Sequence, residues 1–233
     1  MSDLGDRRAQ KKAQTRELVR ATAHRLFASR GFDRVTIADV AREADVAVQT
    51  VFNHFATKED LFFDGRAPWV EGLAAAVLDR APGVSPLTAL RAQLLEVTTT
   101  QIGALATPEE RCFRDTVDAS ETLRAYERTL VFTAEHRLAD ALLTAWQDSD
   151  VAPPNPEVSA PLTAAIWLGA VRVLIVENRL RVKEGVDVAE VAATVEELGD
   201  RLLGHLQAGA QIFHGLLSAT ASTKDLAEGR RAG

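Results

Sequence analysis

The sequence predicts an all-α chain, and three observations carry that expectation. Ala, Leu, Val, Arg and Glu dominate while aromatic residues make up only 6%, a mix that favours helix over strand. Apolar residues recur at the i, i+3, i+4, i+7 spacing of one helix face. No Asn-Gly type of turn joins two alternating runs, so no hairpin is expected. With 46% apolar residues among 233, the chain can bury a core.

Between Ala13 and Arg30, Val19, Thr22, Ala23, Leu26 and Phe27 mark the buried face of a first helix, which Gly31 ends. Thr36 is placed to cap a second helix whose inward face is Ile37, Val40, Ala41 and Ala44. After the short turn Asp45-Val46-Ala47, the stretch Val48 to His54 reads as a third helix with Val51 and Phe55 turned inward. Thr57 caps a fourth, and Glu59 and Asp60 sit in its first turn, where carboxylates suit the positive end of the helix dipole.

Beyond residue 62, joints containing Pro or Gly at 81–83, 107–108, 148–156 and 184–185 divide the chain. Helices are expected near 57–80, kinked at Pro68, and near 86–102, 108–118, 121–147, 157–183 and 187–215. A small, charged tail from Ser218 is expected to fray. The predicted domains are residues 1–62, residues 63–217 and a disordered tail, 218–233.

Several chemistries are not expected. The single cysteine, Cys112, allows no internal disulfide or thiol-rich metal cluster, and it reads as a small buried thiol rather than a reactive one. His24, His54, His136, His205 and His214 form no HExxH and no close pair with cysteine, so no metal site is predicted. Phosphate-loop, dinucleotide and GxSxG patterns are missing as well, so neither a cofactor nor an enzyme activity is expected. The longest apolar run, Pro161 to Val176, is short for a membrane span and contains Arg172, which favours a buried helix. With no apolar signal segment ahead of the first charges, a cytoplasmic protein without a membrane partner is expected.

Charge is distributed unevenly. Residues 1–30 hold eight Lys and Arg against three acids, a local +5 in a chain of net charge −6, so the remainder carries −11. A basic end on an acidic body suits a chain that meets a polyanion at that end, although a merely solvated helix face has the same composition.

Two short helices joined by a tight turn and braced by a preceding helix form a helix-turn-helix. A B-DNA major groove admits one such helix, and Val48, Gln49, Phe52 and Asn53 are the outward candidates here. Gln and Asn can pair bidentately with adenine, and Val can touch a thymine methyl. The same geometry also occurs in proteins that bind no DNA.

The run RGFDRVTIADVAREADVAVQTVFNHFATKEDLF, Arg30 to Phe62, resembles the DNA-binding domain of the TetR family of transcriptional regulators, with the likeness extending over residues 13–62. The resemblance implies an N-terminal three-helix DNA-binding domain and a C-terminal helical domain for ligand binding and dimerisation. It implies that Val48, Gln49, Phe52 and Asn53 face bases while Thr36, Thr50, His54 and Lys58 hold phosphates. It further implies a homodimer on a palindromic double-stranded operator, a four-helix bundle formed by the last two long helices of each copy, and repression relieved by a small-molecule effector in an internal cavity. Three positions depart from the family's habit. Asp45 stands where glycine is common, Ala47 where a capping serine is common, and Phe52 where a tyrosine often supplies a hydroxyl.

Within Pro161 to Val176, Leu162, Ile166, Trp167, Leu168, Val171, Val173, Leu174, Ile175 and Val176 leave the helix apolar nearly all round. A helix covered by its own core and by a partner would look so, and so would a fully internal one. Trp167 and Val171 are interface candidates if they face the partner. For a largely apolar effector, the candidate lining is Trp69, Phe113, Tyr126, Phe132 and Trp146, with Gln101, Arg114, His136 and Arg172 as polar groups. Plain core packing is the alternative for the aromatics, and pairing with Glu196 or Glu197 for Arg172. The helix expected at 57–80 is a natural lever between Lys58 and Trp69. The competing function is a helical ligand sensor with little operator affinity.

Overall fold

In the computed structural model, residues 3–147 and 152–229 are described, with side chains for 7–147 and 152–210, and every regular element among them is a helix. The helices are α1 (Asp3–Arg30), α2 (Ile37–Glu43), α3 (Val48–Phe52), α4 (Lys58–Phe63), α5 (Trp69–Leu78), α6 (Pro86–Ala104), α7 (Pro108–Ala119), α8 (Glu121–Gln147), α9 (Pro156–Lys183) and α10 (Val188–Gly229). They form two compact units. One holds α1 to α4 together with α7 and the first turns of α8, residues 108–128; the other holds α5, α6, the remainder of α8, α9 and α10.

In the first unit, the α1 residues Val19, Thr22, Ala23, Leu26 and Phe27 are all buried, as their spacing requires. The helix begins earlier than its apolar face does, because Ala9 to Ala13 are good helix formers that need no core contact to stay in register. Thr36 and Thr57 each complete a capping box, with Asp39 and Asp60 as the reciprocal carboxylates.

The single helix expected over 57–80 is in fact two. Asp64 leaves the helical region at ψ 126° and Gly65 follows at φ 74°, a left-handed conformation that favours glycine. Pro68, which has no N–H to donate, then stands as the N-cap of α5. Lys58 and Trp69 are therefore not joined by one rod, and the proposed lever loses its continuity.

In the second unit, α6 packs against α5, α9 and α10, and α9 against α10. Leu73, Val77, Leu90, Leu94, Ile102, Leu142, Trp146, Trp167, Val191 and Leu203 are buried there. Gly199 of α10 marks a close approach: a Cβ at that position would meet Leu95 Cδ1 at 3.2 Å and Leu174 Cδ2 at 3.4 Å. Arg91 of α6 reaches the Asp200 carboxylate of α10 at 2.7 Å, and Gln207 donates to Thr88 Oγ1 at 2.9 Å.

The helix α9 is longer than the apolar run that first marks it, and by length and composition alone it is able to cross a membrane. Its packing identifies a core helix instead: Ala160, Ala164, Trp167, Val171, Ile175 and Asn178 are buried. Trp167 and Val171 thus face the protein's own core rather than a partner. The opposite side exposes Ile166, Val173, Val176 and Leu180, between 41% and 51% accessible. The tail expected from Ser218 is helical backbone as far as Gly229, and residues 230–233 lie outside the described residues, as do 148–151 of the expected loop and the side chain of His214.

Replacing Trp167 by Ala removes a buried indole and leaves a cavity, so unfolding free energy should fall by about 3–5 kcal/mol. Denaturant unfolding at constant m-value checks this; a loss below about 1 kcal/mol would mean that Trp167 is not a core residue.

Candidate nucleic-acid interface

The turn between α2 and α3 is closed by main chain alone. Asp45 lies at φ 52°, its N–H reaches Arg42 O at 3.3 Å, and Val46 N–H reaches Ala41 O at 3.0 Å. That pair of bonds is a Schellman closure, whose left-handed residue is the one glycine adopts without cost. The aspartate here accepts a strain of about 1 kcal/mol. Ala47 then caps α3 with no side-chain acceptor, so the lost serine cap is replaced by nothing.

The recognition candidate α3 has only five residues and owes its place to what it buries. Val51 and Phe55 are buried, whereas Val48, Gln49, Phe52 and Asn53 are exposed together on the other side. Gln49 Nε2 donates to Asn53 Oδ1 at 3.2 Å, so the two amide side chains hold one another one turn apart. Phe52 offers an apolar ring, 45% exposed, with no hydroxyl to donate.

Around this helix, the four phosphate-binding candidates differ in freedom. The Thr36 hydroxyl donates to Asp39 Oδ2 at 2.7 Å and accepts from Asp39 N–H at 3.1 Å, which commits it to the α2 cap. Thr50 is half-buried. The His54 carbonyl accepts from Arg16 Nη1 at 2.8 Å, and its imidazole pKa is lowered by burial first and then by the charges of Lys12 and Arg16. Lys58 donates from Nζ to Phe32 O and Val35 O, 3.1 Å each, and lies 4.0 Å over the Phe32 ring. Two N–H groups of that ammonium hold the segment between α1 and α2.

Sequence reasoning did not single out Arg16. Besides the His54 carbonyl, its guanidinium pairs with Asp64 and lies 4.3 Å over the Phe55 ring, tying α1 to the far ends of α3 and α4. Its membership of the basic N-terminal run was the only sign in the sequence.

Phe62 stacks on Phe113 of α7 at 4.9 Å and 16°, and Phe63 meets the same ring edge-on at 5.7 Å. Tyr126 of α8 stacks on Phe63 at 5.5 Å, and its phenol donates to Asp60. Burial, followed by the Asp60 carboxylate, raises the phenol pKa, so the proton stays on the oxygen. Arg114 bridges Glu110 at 3.0 Å and Glu127 at 2.7 Å.

The nine ligand-lining candidates divide between the two units. Phe113, Arg114 and Tyr126 belong to the first unit, and Trp69, Gln101, Phe132, His136, Trp146 and Arg172 to the second. Trp146 is buried, Trp69 half-buried, and Gln101 accepts from Arg179 at 2.5 Å. Phe132 is 61% exposed with His136 against it at 4.0 Å. Arg172 is exposed, and Glu197 lies 3.8 Å from Arg201. A groove of about 650 Å³ does exist in the first unit, between Phe32 to Arg34 and α7, but none of the nine lines it. Cys112, expected to be buried, is exposed on that groove, because α7 spends its inward positions on Phe113 and Val117. Among the described residues no group of His, Cys, Asp or Glu is placed to hold a metal ion.

Residues 19–64 match the family described as "Bacterial regulatory proteins, tetR family". Over 83 residues the chain is 31% identical to the HTH-type transcriptional regulator TcmR of Streptomyces glaucescens, a match covering 36% of this chain and 37% of that one, so the likeness spans little more than a third of the relative. Among solved structures, NalD, the secondary repressor of the MexAB-OprM multidrug efflux pump in Pseudomonas aeruginosa, is 21% identical with a TM-score of 0.48, covering 82% of this chain and 96% of its own. SmeT, the repressor of the Stenotrophomonas maltophilia multidrug efflux pump SmeDEF, is 18% identical with a TM-score of 0.45, covering 79% and 87%. Residues 19–64 thus match a tetR-family helix-turn-helix DNA-binding domain, and the described remainder of the chain is helical.

The α2 cap should resist acid. Hydrogen bonds from the Thr36 hydroxyl and N–H, then from Arg42, hold the Asp39 pKa at about 2 against an ordinary 3.8. A depressed carboxylate contributes fully above its unfolded value and is lost only as pH falls through its folded one. An NMR titration of the Asp39 carboxyl should therefore show no protonation down to about pH 3, and a midpoint near 4 would remove the capping box.

Proposed function

We propose that the chain is a homodimeric transcriptional repressor that places α3 of each subunit in successive major grooves of a palindromic operator and is released by a small, largely apolar effector. The observation that carries this reading is the exposed set Val48, Gln49, Phe52 and Asn53 opposite buried Val51, within the tetR-type domain. Gln49 and Asn53 are the base-reading side chains, and they must part from one another to do so. Lys58 and the basic residues of α1 supply sequence-independent attraction.

Support for the dimer lies on α9. Ile166, Val173, Val176 and Leu180 form an exposed apolar stripe at helical spacing, and Leu198 of α10 is 39% exposed. A second copy laid against that stripe removes apolar surface from water at roughly 25 cal/mol per Å². The effector is proposed for the second unit, where Ser159 Oγ and Gln207 Oε1 are buried without a protein partner among the described residues. A placed hydrogen-bonding group on a ligand would satisfy such atoms. A coupling of about 1–3 kcal/mol between the sites would weaken operator affinity 5- to 150-fold.

A second reading, a ligand sensor with little operator affinity, draws on the uncapped α3 and the strained Asp45. Retardation of the DNA upstream of the protein's own coding region, measured against salt and with candidate apolar ligands, separates the two. A specific, salt-steep complex is expected; ligand binding with no such complex would leave the sensor. Gln49→Ala should relax sequence preference. Lys58→Ala should weaken all sequences alike while also lowering the melting temperature, because it unties Phe32 O and Val35 O; an unchanged melting temperature would contradict the tether.

The dimer has its own check. Val173→Glu places a charge on the exposed stripe and should give a folded monomer by light scattering at micromolar concentration, with the far-UV spectrum of the native chain. A dimer that survives Ile166→Glu together with Val173→Glu would move the interface elsewhere.

A further inference from the structure

We infer that the groove between the α1–α2 turn and α7 binds a small organic acid, an apolar body that carries a carboxylate, at a place separate from the effector site proposed for the second unit. The groove belongs wholly to the first unit, because residues 31–34 and 108–120 all lie there, and the inference does not depend on the operator-binding reading. Its volume of about 650 Å³ is within the range of sites that hold small ligands. Phe32, Pro108 and Ala119 give it apolar walls, which favour a ligand with an apolar body. The charged lining decides what that body carries.

Asp33, Arg34, Arg111 and Asp115 are the charged residues of the lining. Asp33 Oδ1 accepts from the Ser120 hydroxyl at 3.3 Å, and Arg111 and Asp115 are each engaged within the protein. Arg34 differs: among the described residues its guanidinium has no hydrogen bond and no ion pair. That guanidinium is nevertheless held at the groove. It folds back over Gly31, which lies at φ 81°, with Nη2 3.7 Å and Nε 3.9 Å from where a Cβ on the glycine would be. The unmet charge is thus positive and selects an anion, and a planar fork of N–H donors matches a carboxylate with two parallel bonds. The apolar walls make that anion an organic one. Such a ligand would bridge two separately anchored walls, since Lys58 holds the α1–α2 turn through Phe32 O and Val35 O, while α7 is seated by Phe113 stacked on Phe62.

The test uses the full chain, with benzoate and octanoate as probes and their neutral amides as controls. Cys112 is the single cysteine and is exposed on this groove, so its rate of alkylation by neutral iodoacetamide reports occupancy. The acids should slow alkylation several-fold and the amides should not. At about ten times Kd, the acids should also raise the melting temperature by about 3–6 °C. Because Arg34 has no partner to lose, Arg34→Ala should melt as the wild type does while binding the acids about fivefold more weakly, the upper end for an ion pair open to water. Arg34→Lys should weaken them less. Alkylation that the acids leave unchanged overturns the site, and protection given equally by the amides or by inorganic phosphate overturns the ligand class. An Arg34→Ala variant that binds the acids with wild-type affinity also overturns the inference. A rise in melting temperature without protection of Cys112 would put the acid outside this groove, overturning the inference while leaving the effector reading of the second unit in place.

Discussion

Phe62, buried in α4, packs against Phe27 of α1, Phe32 beyond it, Phe63, and Phe113 of α7, with ring centroids 4.9 to 5.6 Å apart, and the DNA-facing unit is arranged around that contact. Tilted and edge-on pairs of this kind add about 0.5–1.5 kcal/mol each beyond the area they bury. They also fix angles. Because the same rings join α1, the segment after it, α4 and α7, the position of Phe32 is decided from several sides at once, and with it the two carbonyls that Lys58 holds.

The recognition helix inherits its position from that cluster and adds little of its own. A helix of five residues is far below the length that is stable in isolation, and α3 has no side-chain cap. Val51 and Phe55 seat it from below, and Arg16 fastens the carbonyl of His54 just past its end. In the proposed reading, base contacts fall to side chains with no part in seating α3, whereas Lys58 and Arg16 join charge toward DNA to bonds that hold the motif together. Such double duty explains why a weak turn, with Asp45 in a left-handed conformation, still yields a defined motif.

How much could be read beforehand depended on whether a residue's role is set by its neighbours in sequence. The α1 face, the two threonine caps and the α2–α3 turn were legible, because periodicity and capping chemistry act within four residues. The break at Gly65 to Pro68 was misjudged as a kink: a proline alone bends a helix, but a preceding residue at positive φ ends one, and nothing local to Pro68 reveals that angle. The phase of α9 was also hidden, since a helix apolar all round gives no sign that Trp167 turns inward and Val173 outward. Candidate pocket residues chosen by type could not be assigned to a unit from sequence, and Phe113 and Tyr126, selected for a ligand, pack against Phe62 and Phe63 of α4. Arg16 was invisible because its partners lie on α3 and α4, more than thirty residues away.

The DNA-facing unit is assembled from two stretches of chain, since α7 and the start of α8 join it only after α5 and α6 have been laid down elsewhere. During synthesis the first stretch emerges with Phe62 and Phe63 still lacking the rings of Phe113 and Tyr126, and Asp60 still lacking the phenol that donates to it. The unit is completed only once residue 128 has left the ribosome, so vectorial folding offers it no early finish. The same wiring limits its use as an exchangeable cassette. A hybrid regulator spliced after residue 67 carries the recognition helix but uncovers an aromatic surface, whereas one that also transplants residues 108–128 brings the lid along with the reader.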